Sequence, residues 1–435
     1  MDYLFKNATV VTMDRDNPVL YNVNLYVNGR KIAKISDASG EGETAVSRVI
    51  DCTHKIIMPG LYNCHAHAAM VMFRGYGNDL NLEDWLFNYI FPAERNWTPE
   101  LIKSATSLAI AEQIGSGTIA FADMYFHMDK VAEAADEAGV LANVSNAVIA
   151  FDPDSYKYTE SSEYRQTMNV IERWHKHGDG RIKADASIHA VYTSFPDTWK
   201  QVIEVTHEHK LGMHVHLSET KIEHEGCLEK FGKTPAAMFA EHGVFDVPTL
   251  AAHGVWLTED DMSILAQKNV SLAHNPLSNL KLASGLAPVT QMLKHGINVC
   301  MGTDGVSSNN SHDMFEELKM ASLLQKYITN DPTVLPAYQT LEAATVNGAI
   351  ALGRSQESGK IKEGCDADLL LIDTNNPRHI VCHDPVLALA YSASGRDVDL
   401  TMVRGKILYE NGEYLTIDTE RAMYEVRKAK MTPAK

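Results

Sequence analysis

The side chains best suited to chemistry in this 435-residue chain are histidines and acids at strand-compatible spacings. His65 and His67 stand two apart in Asn63-Cys-His-Ala-His67. In extended backbone both imidazoles leave the same side of a strand, so two nitrogens face one metal. His216 opens His216-Leu-Ser-Glu219, His253 lies in Ala251-Ala-His-Gly254, and Asp304 lies in Gly302-Thr-Asp-Gly305. Imidazoles with a carboxylate suit Zn²⁺ or Fe²⁺, and a set without thiolates and with room for water points to a catalytic rather than a structural site. Water acidified there is a nucleophile at neutral pH, and whatever it attacks needs a nearby acid. Glu219, three residues past His216, is the candidate acid. His253 suits either a metal bond or a hydrogen bond to the attacking oxygen, and Asp304 suits both ligation and proton acceptance. His214 shares a face with His216 and is a rival ligand, ranked lower because it falls inside the strand. His207, His209, His224, His242, His295 and His312 fall on helical or loop segments and are expected at the solvated surface.

These residues need a frame that brings distant stretches to one mouth. Buried strands are predicted at 58–64, 118–122, 141–148, 182–188, 212–215, 249–252, 270–273 and 297–302, with helical patterns between them. Eight parallel strands in this rhythm favour a (β/α)₈ TIM-type barrel over an open doubly wound sheet. The histidines and Asp304 then sit at the C-terminal strand ends, the rim where such barrels carry active sites. One intervening helix is legible in detail. Thr98 is its N-cap, Pro99 its first residue, Leu101, Ile102, Ala105, Leu108, Ala109 and Ile114 its apolar stripe, and Gly115 and Gly117 its stop. Both chain ends read as β-structure: residues 5–13 and 24–35, with a type I′ turn predicted at Asn28-Gly29, and residues 368–373 and 401–409, followed by Asn411-Gly412. No G-x-G-x-x-G or G-x-x-x-x-G-K-S/T run follows any strand, which removes the best support for a nucleotide cofactor.

Composition narrows the partners. With 39 Lys+Arg against 56 Asp+Glu, the net charge is −17. Such an acidic chain repels a polyphosphate backbone, so nucleic acid is excluded and a small molecule expected. No stretch approaches the length of a membrane span, and the first ten residues lack a signal pattern, so a cytoplasmic protein with no membrane partner is expected. The six cysteines are scattered singly, as buried free thiols would be. Homo-oligomerisation is left open.

Taken together, Pro59-Gly-Leu-Tyr-Asn-Cys-His65-Ala-His67, His216-Leu-Ser-Glu219, Ala252-His253-Gly254 and Gly302-Thr-Asp304 resemble the amidohydrolase superfamily nearly end to end. Arg74-Gly75, Asp84-Trp85-Leu86, the run from His274-Asn275 to Leu282, and Ser308-Asn309-Asn310 resemble its 5-methylthioadenosine/S-adenosylhomocysteine deaminase group. The resemblance implies a composite β-sandwich built by residues 1–57 and 356–435, the latter ending in a helix, around a barrel of residues 58–355. It implies one divalent metal per subunit, zinc with Fe²⁺ as the alternative, held by His65, His67, His216 and Asp304. Glu219, His253 and Asp304 are implied to be catalytic, and Glu94, His189, Glu219 and Trp85 to bind substrate. His189 occupies the place where two-metal members carry a bridging lysine, which argues for a single ion. The reaction implied is hydrolytic deamination of a 5′-substituted adenosine to the inosine analogue and ammonia, with guanine, cytosine or triazine chemistry as the alternative and a non-catalytic metal protein as a remote third. One departure is Asn146, in the place of an arginine that pairs with the S-adenosylhomocysteine carboxylate. Asparagine cannot form that bidentate contact, so neutral 5′ groups are expected, with Arg165 as the one nearby substitute.

Overall fold

The computed structural model describes residues 1–39, 45–95 and 97–429. Alternating apolar residues at both ends build one nine-stranded sheet. The N-terminal stretch gives β1 (Tyr3–Val11), β2 (Val19–Asn28), β3 (Lys31–Asp37), β4 (Arg48–Asp51) and β5 (Lys55–Pro59). Between the two ends of that sheet lie two all-parallel sheets. One orders β6 (Leu61–Ala66), β7 (Thr118–Tyr125), β8 (Leu141–Asn146) and β9 (Ile182–Ala184); the other orders β10 (Ala186–Ile188), β11 (Met213–Leu217), β12 (Thr249–His253), β13 (Ser271–His274) and β14 (Asn298–Met301). The C-terminal stretch returns to the first sheet as β15 (Leu369–Asp373), β16 (Val398–Val403), β17 (Lys406–Glu410) and β18 (Glu413–Tyr414), with β15 antiparallel to β5. A helix, Thr419–Lys428, follows.

The parallel sheets meet at both edges. Ala66 and Asp304 form a parallel bridge, and the Asp304 N–H donates to the His65 carbonyl at 2.9 Å. At the other edge β9 and β10 are halves of one extended run that the sequence reading takes as a single strand. Asp185 separates them: its N–H donates to Val144 on one side, while Ala186 donates to Gly212 on the other, both at 2.9 Å. Strand 58–64 also differs from expectation, because Met58 and Pro59 belong to the terminal sheet and β6 begins at Leu61. The change of sheet falls at Gly60, where a Cβ would lie 2.3 Å from Ile119 Cγ2, so only glycine lets the chain cross there.

Period-two alternation then gives each face of the terminal sheet its own core. Leu369 and Leu371 join Phe5, Leu25 and Leu400 in one buried cluster, whereas Leu370 and Ile372 face the core shared with the parallel strands. The hairpin at Asn28-Gly29 is present but its turn is not type I′. The two-residue loop is Gly29-Arg30, and of the two only Gly29 is left-handed. At Asn411-Gly412 both residues are left-handed, with φ of 50° and 87°, as a type I′ turn requires. The helix Pro99–Gly115 is capped as expected, Thr98 accepting from Leu101 N at 3.2 Å. Among the described residues no helix is long and apolar enough to cross a membrane.

Candidate metal centre and active site

The parallel strands deliver the histidines to one end. His65 lies in β6, His216 in β11 and His253 closes β12; His67 and Asp304 follow their strands by one and three residues. Gly302 allows that approach, since a Cβ there would meet His65 N at 2.8 Å. His253 and Asp304 hold left-handed backbone, at φ 74° and 61°, the local strain common where side chains are aimed for function.

Each imidazole is oriented by its second nitrogen. A carbonyl only accepts, so His67 Nδ1 carries a proton donated to Met124 O at 2.5 Å, and His216 Nδ1 donates to His189 O at 2.8 Å. Their Nε2 atoms therefore point inward, 3.4 Å apart. His65 Nδ1 lies 2.9 Å from His214 Nε2, which places His214 behind the cluster, and His65 Nε2 is buried with no hydrogen-bond partner. Asp304 Oδ1 stands 3.1 Å from His67 Nε2 and 3.4 Å from His65 Nε2. Its Oδ2 is occupied, accepting from Ser278 at 2.6 Å and Ser308 at 2.9 Å. The donor atoms of His65, His67 and His216 all lie within 4.8 Å of one another, as do those of His65, His253 and Asp304. Convergent ring nitrogens, an orphaned buried nitrogen and a hydrogen-bond partner behind each ring fit a divalent metal.

The electrostatics agree. Burial pushes His65 down to about 4 and His216 well below its ordinary value, so both rings are neutral, as ligands must be. At His67 burial is outweighed by Asp304, which lifts the ring to about 9; a cation between ring and carboxylate would displace that proton. Burial, with the Asp304 charge adding, raises the Glu219 carboxyl well above the usual range. Glu219 Oε2 faces His253 Nε2 at 3.6 Å, and His253 Nδ1 is held by Asn279 Oδ1 at 2.9 Å.

One cavity gathers the remaining candidates: His67, Trp85, Glu94, His189, His216, Glu219, His253 and Asp304 line it, with His65 fully buried beneath. Glu94 lines the same cavity, its carboxylate accepting from the Tyr125 hydroxyl, and burial lifts it to about 7. His189 packs on His216 with ring centroids 4.7 Å apart and is tied through Nδ1 to Thr193 at 2.9 Å. Two expectations fall outside the cavity. Asn146 turns its side chain away, accepting from Met128 N at 3.4 Å, and Arg165 donates to the Glu160 carbonyl at 2.9 Å rather than replacing the missing arginine. Two histidines expected at the surface are buried: His312 against Thr303 Oγ1 at 3.1 Å, and His224 in the helix Lys221–Phe231. Tyr125, Phe126 and Tyr192 also line the cavity unanticipated. Tyr125 is the last residue of a predicted barrel strand extended by three, so the strand-end rule that found the histidines could have found it.

Comparisons with known proteins agree with this geometry. The Amidohydrolase family model matches residues 56–408. The chain is 42% identical over 428 residues to a 5-methylthioadenosine/S-adenosylhomocysteine deaminase of Thermoanaerobacter pseudethanolicus, covering 98% of both chains. It is also 42% identical to a 5′-deoxyadenosine deaminase of Methanosarcina acetivorans, over 98% of this chain and 97% of that one. A crystal structure of an adenosine deaminase from Xanthomonas campestris with bound zinc superposes with a TM-score of 0.92 at 31% identity, covering 98% and 97% of the two chains. Matched along nearly its whole length, with the histidine and aspartate cluster at its centre, the chain belongs to the amidohydrolase family.

Proposed function

We propose that this protein is a hydrolytic deaminase of 5′-substituted adenosines, converting 5′-methylthioadenosine, 5′-deoxyadenosine and, less efficiently, S-adenosylhomocysteine to the inosine analogue and ammonia. On this reading the two parallel sheets are halves of a closed (β/α)₈ barrel that starts at Leu61 rather than at residue 58 and runs to 355, and the terminal stretches, the first of them reaching Pro59, form the β-sandwich beside it. The observation that carries the proposal is one cavity lined by a convergent ligand cluster, a buried carboxyl beside it and a second carboxyl, Glu94. His65, His67, His216 and Asp304 would hold a zinc ion, which would supply the acidity that makes water a nucleophile at neutral pH.

The chain's own groups then divide the work. Glu219, kept protonated by burial, donates to the adenine ring nitrogen beside C6, so that C6 accepts addition of the water oxygen. Asp304 takes one water proton and passes it to the departing amine, its Oδ2 fixed by Ser278 and Ser308, and as the C6–N bond breaks the new C6 hydroxyl returns its proton to the Glu219 carboxylate, which restores Glu219 and leaves the inosine analogue and ammonia. His253, its Nδ1 held by Asn279, presents Nε2 as an acceptor that orients the attacking water. Glu94 binds the ribose hydroxyls, His189 makes a further sugar contact, and Trp85 closes the wall. A carboxylate placed for a diol favours a nucleoside over a free guanine, cytosine or triazine.

The test is loss of adenosine-type ultraviolet absorbance with the zinc-loaded protein on adenosine, 5′-deoxyadenosine, 5′-methylthioadenosine and S-adenosylhomocysteine, with metal content measured in parallel. Turnover of the neutral nucleosides at one zinc per chain is expected. Turnover of guanine or a triazine in their place would overturn the proposal.

A further inference from the structure

Glu219 differs from the groups around it in how it is aimed. Among the described residues no side chain hydrogen-bonds its carboxyl, which faces His253 Nε2 at 3.6 Å. Its direction is therefore set by its main chain. Ser218 before it is left-handed, at φ 47°, and Thr220 after it is extended and caps the helix Lys221–Phe231, so the chain turns sharply at the acid. Inside that turn the Glu219 N–H donates to Glu223 Oε2 at 2.7 Å. Glu223 is itself buried, and its Oε1 has no partner.

Helix capping alone does not account for that bond. Thr220-Lys-Ile-Glu223 has the spacing of a capping box, in which the acid accepts from the N–H of the capping threonine. Thr258-Glu-Asp-Asp261 makes that box in this same chain, Asp261 Oδ2 accepting from Thr258 N at 2.9 Å. The threonines act alike, Thr220 Oγ1 accepting from Glu223 N and Thr258 Oγ1 from Asp261 N, each at 3.1 Å. Glu223, one methylene longer than Asp261, reaches past its threonine to the residue before it, and that residue is the acid.

We propose that Glu223 is a positioning residue for the reaction: it fixes the peptide at Glu219 and so aims the carboxyl that protonates the adenine ring. The inference rests on the deaminase reading above. A proton donor displaced by about 1 Å loses on the order of 10²-fold in rate, and substrate binding changes little because the transfer is felt only in the transition state.

The experiment compares Glu223→Asp and Glu223→Gln in the zinc-loaded full chain on 5′-methylthioadenosine, and repeats Glu223→Asp in a Glu219→Gln background. Aspartate can close the capping box as Asp261 does but is too short to reach Glu219. We expect its melting temperature within about 2 °C of wild type. Its zinc content should be unchanged and its kcat about 10- to 100-fold lower, with KM within about threefold. Glu223→Gln keeps an acceptor oxygen at full reach and should restore kcat to within about threefold of wild type. In the Glu219→Gln background Glu223→Asp should cost less than about twofold more, since an absent acid cannot be misaimed. Wild-type kcat in Glu223→Asp overturns the proposal. So does a full, multiplicative loss in the double variant, a glutamine variant as slow as the aspartate one, or a melting temperature that falls along with kcat, which would make Glu223 a helix cap only. Each of these leaves the deaminase reading standing, whereas failure of the wild-type protein to turn over any adenosine nucleoside overturns both.

Discussion

The floor of the cavity and its rim are built on opposite rules. On the floor, His67, His216, His253 and Asp304 are buried or nearly so, and each has one polar atom tied to a second partner so that the other is aimed inward. At the rim, Phe87 in a short helical segment and Phe151 in a loop are exposed and pack on each other and on Phe91. Atoms aimed by a second bond act at one place only, so a change there removes a chemical step. Apolar surface acts by area, so a change there removes a fraction of an affinity. The contrast predicts a gradient of effects from floor to rim.

Its steep end is Glu219→Gln. The amide keeps the shape but cannot protonate the ring nitrogen, so kcat should fall by about 10³-fold or more with zinc content unchanged. Full activity in that variant would remove the floor from the comparison. Next comes metal removal. Chelation should abolish turnover and lower the melting temperature by several degrees, because an ion that binds only the folded state stabilises it by mass action; readdition of zinc should restore both. A metal-free protein that melts at an unchanged temperature would mean that the convergent nitrogens hold no ion.

The same gradient explains what was legible in the sequence. The floor residues stand where a strand run meets a loop, and a short apolar run between helical patterns names both the strand and its end, so His65, His67, His216, His253 and Asp304 are legible from the sequence. The rim could not. Phe87 and Phe91 lie in the short consecutive helical segments between Leu82 and Glu94, and Phe151 in the loop after β8, where no periodicity fixes direction. His312 departs from the expected surface position for a related reason. Position in a loop suggests solvent, but this loop folds inward against Thr303 under the last parallel strand. Short turns were ambiguous too: Asn28-Gly29 and Asn411-Gly412 are the same dipeptide, and the register of the flanking strands, set by packing, decides which two residues make the turn.

Glu94 stands between the two regimes and sharpens the comparison. On the deaminase reading its carboxylate meets the ribose hydroxyls, so Glu94→Gln should raise KM for 5′-deoxyadenosine about 10- to 100-fold with a smaller change in kcat. The same substitution has a stability signature of opposite sign. Burial raises the folded-state carboxyl to about 7, above its ordinary 4.5, so the native state prefers it neutral while the unfolded chain ionises freely. Stability from this position is present below about 4.5 and lost as pH rises toward 7. Glutamine does not ionise, so the variant should gain about 1 to 2 kcal/mol over wild type at pH 8 relative to pH 5, read as a crossing of the two melting-temperature curves. Parallel curves would mean that Glu94 is solvated and belongs to the rim.

The shallow end is Phe151→Ala. The ring is largely exposed, so its removal should change stability by less than about 0.5 kcal/mol. It also lies a ring away from the cavity wall, in contact with Phe91 and Phe87 rather than among the lining residues. Its effect on catalysis must therefore pass through Phe91. Efficiency on 5′-deoxyadenosine should stay within about twofold, with any loss in KM and none in kcat. A fall in kcat would show that Phe151 supports the floor, and the division between a region that acts by position and one that acts by area would fail at that residue.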